Sequence, residues 1–198
     1  MLSAQTLQNI RQHTYTGGLQ LPVSPLSQIE YLTQQLWKKS PEKKLLFLAG
    51  DHSCSYPSFK SWSSTRTSRN FALLHFDAHT DLLPNRLGIE HCFGTWAFHA
   101  IKHLPDPSHL VQLGIRQSRF DKKHWEKNLG VKQWWSDEII QSDLQSFANN
   151  LCHYFDQKKI DDIYISIDVD VLDPAYLSCT GTAEPGGLAP HHLTFLID

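Results

Sequence analysis

No stretch of this 198-residue chain approaches the roughly 18 consecutive apolar residues of a membrane helix, and its opening, MLSAQTLQNIRQHTYTGG, lacks the continuous apolar stretch of a signal peptide. A cytoplasmic location is therefore expected. Charge of one sign is also missing: 18 Lys and Arg stand against 20 Asp and Glu, for a formal net charge of −2. The basic footprint of a nucleic-acid binder is absent, so neither nucleic acid nor an anionic membrane is an expected partner. Cysteine is sparse and scattered, with Cys54, Cys92, Cys152 and Cys179 forming no CxxC pair. That excludes a zinc clip and a disulfide framework and leaves reduced thiols as the expectation. No repeat, low-complexity tract or linker divides the chain, so residues 1–198 are expected to form a single domain.

What is present is an ordinary globular composition, 40% hydrophobic and 19% charged, arranged in short apolar runs separated by helical spacing. Runs at 45–49, 71–76, 110–115 and 163–167 read as strands buried on both faces, with a weaker one at 131–135. Stretches 24–39, 95–103 and 137–157 carry helical periodicity, and the Pro- and Gly-rich segments 16–25 and 180–190 read as loops. Strand and helix alternate. The expected fold class is α/β, a three-layer α/β/α arrangement with a mainly parallel sheet, in which ligands bind beyond the carboxyl ends of the strands.

Polar groups with metal-binding chemistry stand at those ends. Gly50-Asp51-His52-Ser53 follows the first run, Asp77-Ala78-His79-Thr80-Asp81 the second, and Asp168-Val169-Asp170 the last. Period-2 spacing points Asp77, His79 and Asp81 to one side if the backbone stays extended, and does the same for Asp168 and Asp170. Packed together, these acids would repel and raise one another's pKa unless cations joined them. Oxygen and imidazole donors without a thiolate suit Mn²⁺ or a similar divalent ion, and the excess of carboxylates suggests two ions sharing bridging carboxylates. Asp51 alone reads as a helix cap or turn former. Most of the 12 histidines, among them His13, His109, His191 and His192, have no acidic neighbours at ligand spacing and read as surface or loop residues.

Those three segments, with Ser166-Ile167-Asp168-Val169-Asp170-Val171-Leu172-Asp173-Pro174 and Gly181-Thr182-Ala183-Glu184-Pro185-Gly186-Gly187-Leu188, resemble the signatures of the ureohydrolases, the arginase and agmatinase family, over about residues 44–190. The resemblance implies an arginase-like fold and two Mn²⁺ ions per chain. One ion would be held by His52, Asp77, Asp81 and Asp168, and the other by Asp77, His79, Asp168 and Asp170. It further implies attack of a metal-bridging hydroxide on a guanidinium carbon, releasing urea and an amine, with His91 as the acid or proton shuttle. The residues after His91, Cys92-Phe93-Gly94-Thr95, depart from the family's usual His-Gly pattern.

Where arginases place an Asn that reads the amino-acid head of arginine, this chain has Leu83. Agmatine or another small guanidino compound without that head group is the expected substrate, and formiminoglutamate-type substrates stay open beside it. The resemblance also implies a later strand carrying a guanidinium-gripping glutamate, which residues 189–198 do not supply and which Glu184 does not match, and an opening strand that the segment before Leu45 lacks. Terminal family strands are therefore expected to be missing. Unpaired sheet edges would favour a homo-oligomer. The alternative expectation is a truncated, catalytically impaired metal-binding homologue that acts through association with another chain.

Overall fold

The computed structural model describes residues 25–66 and 70–198. The loop expected at 16–25, apart from Pro25, and His13 lie outside the described residues. Four strands, β1 (Phe71–Phe76), β2 (Leu110–Ile115), β3 (Lys132–Trp135) and β4 (Asp162–Ile167), form one parallel sheet in the order β3-β2-β1-β4. The two central strands are buried at every residue, as their mainly apolar runs FALLHF and LVQLGI suit parallel strands covered on both faces.

Seven helices of the described residues flank this sheet: α1 (Pro25–Lys39), α2 (Ser55–Ser64), α3 (Trp96–Ala100), α4 (Lys122–Leu129), α5 (Ser136–Ile140), α6 (Leu144–Gln157) and α7 (Pro190–Ile197). On one face, Phe71 and Leu73 of β1 pack with Trp37 of α1, Phe59 and Trp62 of α2, and Trp96 of α3. On the other, Ala72, Leu74 and Phe76 pack with Ile139 of α5 and with Phe147, Leu151 and Phe155 of α6. The period of two along β1 thus splits its side chains between two cores, and the expected three-layer α/β/α fold results. No helix of the described residues is long and apolar enough to cross a membrane.

Four readings of the sequence are corrected. Residues 45–49 form no strand: Leu45 packs on the first core and Phe47 lies 5.6 Å from the Trp37 ring, but Leu46 and Leu48 are 86% and 91% exposed. An apolar run signals burial but supplies no ladder partner, and none pairs with this segment among the described residues. The helix expected over 137–157 is broken into α5 and α6, because Asp143 caps a new start by accepting from the Ser146 N–H. His109 is buried rather than superficial, with Nδ1 2.9 Å from the Phe71 carbonyl. The run at 163–167 is not buried on both faces as expected: it forms edge strand β4, and on its second face Ile163, Ile165 and Ile167 are each about 40% exposed.

Beyond β4 the chain is fastened by Arg116, whose guanidinium donates to the backbone carbonyls of Gly114, Asp170, Val171, Leu172, Glu184 and Pro185. Asp173 completes the clasp by accepting from the N–H groups of Gly186 and Gly187 at 2.8 and 3.0 Å. A Cβ at Gly187 would sit 2.4 Å from the Asp173 nitrogen and 2.5 Å from the Leu172 carbonyl carbon, both backbone atoms that cannot turn aside. Gly187→Ala is therefore expected to destabilise the chain by about 1–3 kcal/mol. Gly181→Ala, which meets nothing within 4 Å, should stay within about 0.5 kcal/mol of the parent. Urea denaturation of the two variants checks the contrast, and equal midpoints would refute it.

Candidate metal centre

The carboxyl ends of β1 and β4 carry the acids. Asp77 N–H donates to the Leu113 carbonyl and Asp168 N–H to the Phe76 carbonyl, so both residues extend the sheet's hydrogen bonding by one step and stand side by side. Asp168 then caps the 3-10 turn Val169–Val171 by accepting from the Asp170 N–H, which turns Asp170 back toward β1, where its Oδ1 accepts from the Ala78 N–H at 3.1 Å. Asp81 sits at φ 50°, a left-handed conformation that side chains other than glycine rarely adopt. Its Oδ2 accepts from the Trp96 indole at 2.8 Å. His52 comes not from a strand end but from the 3-10 turn His52–Cys54 at the head of α2, which Asp51 caps by accepting from the Ser53 N–H.

These elements bring His52, Asp77, His79, Asp81, Asp168 and Asp170 onto the wall of one cavity of about 520 Å³. His52 Nδ1 lies 3.0 Å from Asp77 Oδ2, 3.1 Å from Asp168 Oδ2 and 3.5 Å from Asp81 Oδ2. It nevertheless makes no hydrogen bond, although it is buried. His79 Nδ1 lies 3.3 Å from Asp77 Oδ1 and 3.2 Å from Asp170 Oδ2. The two oxygens of Asp77 thus face two different imidazoles. Asp77, His79 and Asp170 form one compact donor group and His52, His75, Asp77 and Asp81 another. Asp168 falls outside both groups, but its 3.1 Å approach to His52 and its place on the cavity wall put it with the second.

The electrostatics are those of a site short of positive charge. Burial would raise the pKa of Asp77, but the three surrounding imidazoles, His52, His75 and His79, outweigh it and hold this carboxyl well below its usual range. Burial, reinforced by the Asp77 charge, pushes Asp81 well above that range. Asp170 is raised by burial and by the Asp77 and Asp168 charges, whereas beside His52 the burial of Asp168 is overcome and its pKa falls. Two acids are held ionised and two resist ionisation, as expected of four carboxylates crowded without enough cations. For both His52 and His79 burial favours the neutral ring, yet adjacent acids, Asp168 and Asp77 for the first and Asp170 and Asp77 for the second, push each pKa up to about 10. An unpaired buried nitrogen aimed among carboxylates, with mixed oxygen and imidazole donors, fits a divalent cation.

His91 is not on the cavity wall. Its ring stacks on Tyr56 at 4.8 Å and meets His99 edge-on at 4.6 Å, while Phe93 and Gly94 of the same loop do line the cavity. Leu83 and Glu184 line it too, Glu184 Oε1 lying 3.7 Å from His79 Nε2. Four polar residues near the centre escaped the sequence reading: His75, which contacts Asp77; Ser166, which contacts His52; Gln112; and Arg116. The available signal was their offset, since His75 and Ser166 each stand two residues before a strand-end acid and so on its face of the sheet.

A family model described as the arginase family matches residues 3–198. Proclavaminate amidinohydrolase of Streptomyces clavuligerus is 31% identical over 155 residues, covering 77% of this chain and 48% of the relative. An agmatinase of Bacillus cereus is 30% identical over 166 residues, 83% of this chain and 51% of the relative. The crystal structure of formimidoylglutamase from Bacillus subtilis superposes with a TM-score of 0.76 at 28% identity, covering 87% of this chain and 53% of that one. The chain spans about half the length of the curated relatives it matches.

The raised imidazoles set a pH dependence for the metal-free protein. A histidine whose folded pKa of about 10 exceeds its ordinary 6.5 stabilises the fold fully below pH 6.5, and that contribution is lost as pH rises through 10. Chelator-treated protein is thus expected to lose thermal stability between about pH 6.5 and 10, and His52→Gln to flatten the decline. A melting temperature that rises across that window would contradict the assignment.

Proposed function

This chain belongs to the arginase family, and we propose that it is a divalent-metal hydrolase that cleaves an amidino C–N bond of a small guanidino compound such as agmatine, releasing urea and an amine. The observation that carries the reading is the convergence of six donors on one cavity around the orphaned His52 nitrogen. One ion would be held by His52, Asp77, Asp81 and Asp168, and a second by Asp77, His79, Asp168 and Asp170. The split of Asp77's oxygens between His52 and His79 supports a bridging role for that residue. Mn²⁺ suits these hard and borderline donors. Bound there, the ions would supply a nucleophile from water near neutral pH and polarise the reacting group.

The chain's own residues do the rest. Leu83 presents an apolar side chain to the cavity, which suits a tail without an α-carboxylate and favours agmatine over arginine. We assign the proton for the departing amine to His91, whose ring packs on Tyr56 and His99 off the cavity wall and whose loop reaches the cavity through Phe93 and Gly94. Burial, with the neighbouring His99, lowers its pKa, which makes its protonated form the stronger acid. A cytoplasmic location is part of this reading, where four scattered cysteines without a CxxC pair stay reduced. Self-association belongs to the same reading, with the half-exposed apolar face of β4 as the surface it would cover. No observation favours the catalytically impaired alternative over this one.

Metal-loaded protein is expected to release urea from agmatine and far less from arginine. Silence across a panel of guanidino compounds would overturn the reading. Elemental analysis should find about two ions per chain, lost on Asp168→Ala. His91→Ala is expected to lower kcat with agmatine about a hundredfold while leaving KM nearly unchanged, and a purely KM effect would remove His91 from proton transfer.

A further inference from the structure

One register row of the sheet is polar across all four strands. His75 on β1 is paired with Gln112 on β2 and with Ser166 on β4, and Gln112 is paired with Gln133 on β3. His75, Gln112 and Gln133 are 0% exposed and Ser166 is 5% exposed. Buried polar side chains destabilise a core unless each finds a partner, so a whole row of them demands an explanation. Each finds one: Gln133, Gln112 and His75 are joined to one another and to Asp77, and Ser166 is joined to His52 and Ser55. Trp135 Nε1 lies 3.0 Å from Gln133 Oε1, Gln133 Nε2 lies 2.7 Å from Gln112 Oε1, and Gln112 Nε2 lies 2.9 Å from His75 Nδ1. His75 Nε2 then lies 2.8 Å from Asp77 Oδ2.

The direction of this line is fixed from both ends. An indole N–H can only donate, so the Gln133 atom facing Trp135 is oxygen and its nitrogen faces Gln112. A backbone carbonyl can only accept, and Gln112 Nε2 is 2.7 Å from that of Thr80, so the same Gln112 nitrogen faces His75. Amide nitrogen does not accept. His75 Nδ1 must therefore be the acceptor, and the proton of the neutral ring sits on Nε2, pointing at Asp77. At the other end of the row, Ser166 Oγ lies 2.9 Å from His52 Nε2 and 2.9 Å from Ser55 Oγ. That contact leaves His52 Nδ1 facing the carboxylates.

We propose that this row is the positioning layer of the metal centre, in which a line of donors from Trp135 through Gln133 and Gln112 holds His75 as an Nε2–H donor to Asp77, and Ser166 holds the His52 ring. The inference rests on the two-metal reading above and deepens it by giving His75 a positioning role in place of the ligand role its distances would admit. Geometry alone would admit His75, because its nitrogen falls within 4.8 Å of donors from His52, Asp77 and Asp81. Its proton decides otherwise: a nitrogen that donates to Asp77 has no lone pair for a cation. Partners that orient ligating carboxylates in this way typically change metal affinity about 10–100-fold when removed.

Titration of metal-stripped protein with Mn²⁺ alone, followed by calorimetry, tests the layer. His75→Phe is expected to weaken binding about 10–100-fold, and His75→Gln, which keeps an N–H near the same place, to restore most of it. Gln133→Leu, three strand positions across from Ser166, should weaken binding in the same direction although it touches no ligand. Long-range proton–nitrogen NMR of the Zn²⁺-loaded parent chain, which needs no variant, should find His75 protonated on Nε2 and bare on Nδ1. A bare, metal-shifted Nε2 would overturn the proposal, as would Mn²⁺ affinity equal to the parent's in a folded His75→Phe variant; either result leaves the two-metal reading standing. Failure of the parent chain to bind Mn²⁺ removes both.

Discussion

The buried charge of Asp77 is the constraint around which the rest of this structure is arranged. Its carboxyl is 1% exposed and is approached by His52, His75 and His79 and by the backbone N–H of His79. An isolated carboxylate in such a place would take up a proton or unfold its surroundings. Here it is kept ionised, and the consequence is felt by its neighbours: Asp81 and Asp170 are both pushed up, in part by the Asp77 charge. One well-solvated anion in a dry site is thus obtained at the expense of two others, and only additional positive charge relieves all of them. His52 and His79 supply part of that charge in the metal-free protein, leaving Asp81 and Asp170 raised, and a divalent pair would supply the rest by displacing the imidazole protons.

The sheet and the site were readable in the sequence to different depths. Strands β1, β2 and β4 follow from mainly apolar runs, and five of the six donors follow from the Asp and His residues just beyond β1 and β4, while His52 stands after the run that forms no strand. Residues 45–49 carry a similar run and yet form no strand, because hydrophobicity specifies burial and not the partner with which a ladder is made. The break between α5 and α6 hung on one side-chain cap, Asp143, inside a stretch that was helical in period on both sides. His75, Gln112 and Gln133 were passed over for a related reason: a polar residue inside an apolar strand looks like an interruption when strands are read one at a time. Only registration of three strands shows that the interruptions meet.

Arg116 illustrates a further kind of information that no local pattern contains. It follows β2 directly, yet its donors are spent on carbonyls of residues 170–172 and 184–185, far along the chain. A guanidinium presents five N–H groups in a rigid fork, so it can collect carbonyls from two segments that share no regular hydrogen bonding. Asp173 and Gly187 serve the same junction from the other side, the first by accepting from two backbone N–H groups and the second by having no Cβ to collide with Asp173. The clasp keeps the Asp168 to Asp170 turn and the Thr182 to Glu184 segment against one another. Thr182 Oγ1 can then donate to Asp170 Oδ2 at 2.8 Å, and Glu184 can approach His79.

The two faces of the sheet divide these tasks. Odd-numbered positions of β1 point to the face that carries His75 and Asp77, and their partners Gln112, Gln133 and Ser166 share it, while the even-numbered face is apolar from Ala72 to Phe76. On β4 the same division places Ser166 on the site's face and leaves Ile163, Ile165 and Ile167 half-exposed on the other. Whatever covers those isoleucines therefore approaches from the side opposite the polar row. The donors and their supports are assembled from β1, β2, β3, the buried face of β4 and the head of α2, all of which are present and packed. The geometry of the metal centre consequently depends on the first core, on the row beneath it and on the Arg116 clasp, whose Val171 and Leu188 pack into the second core.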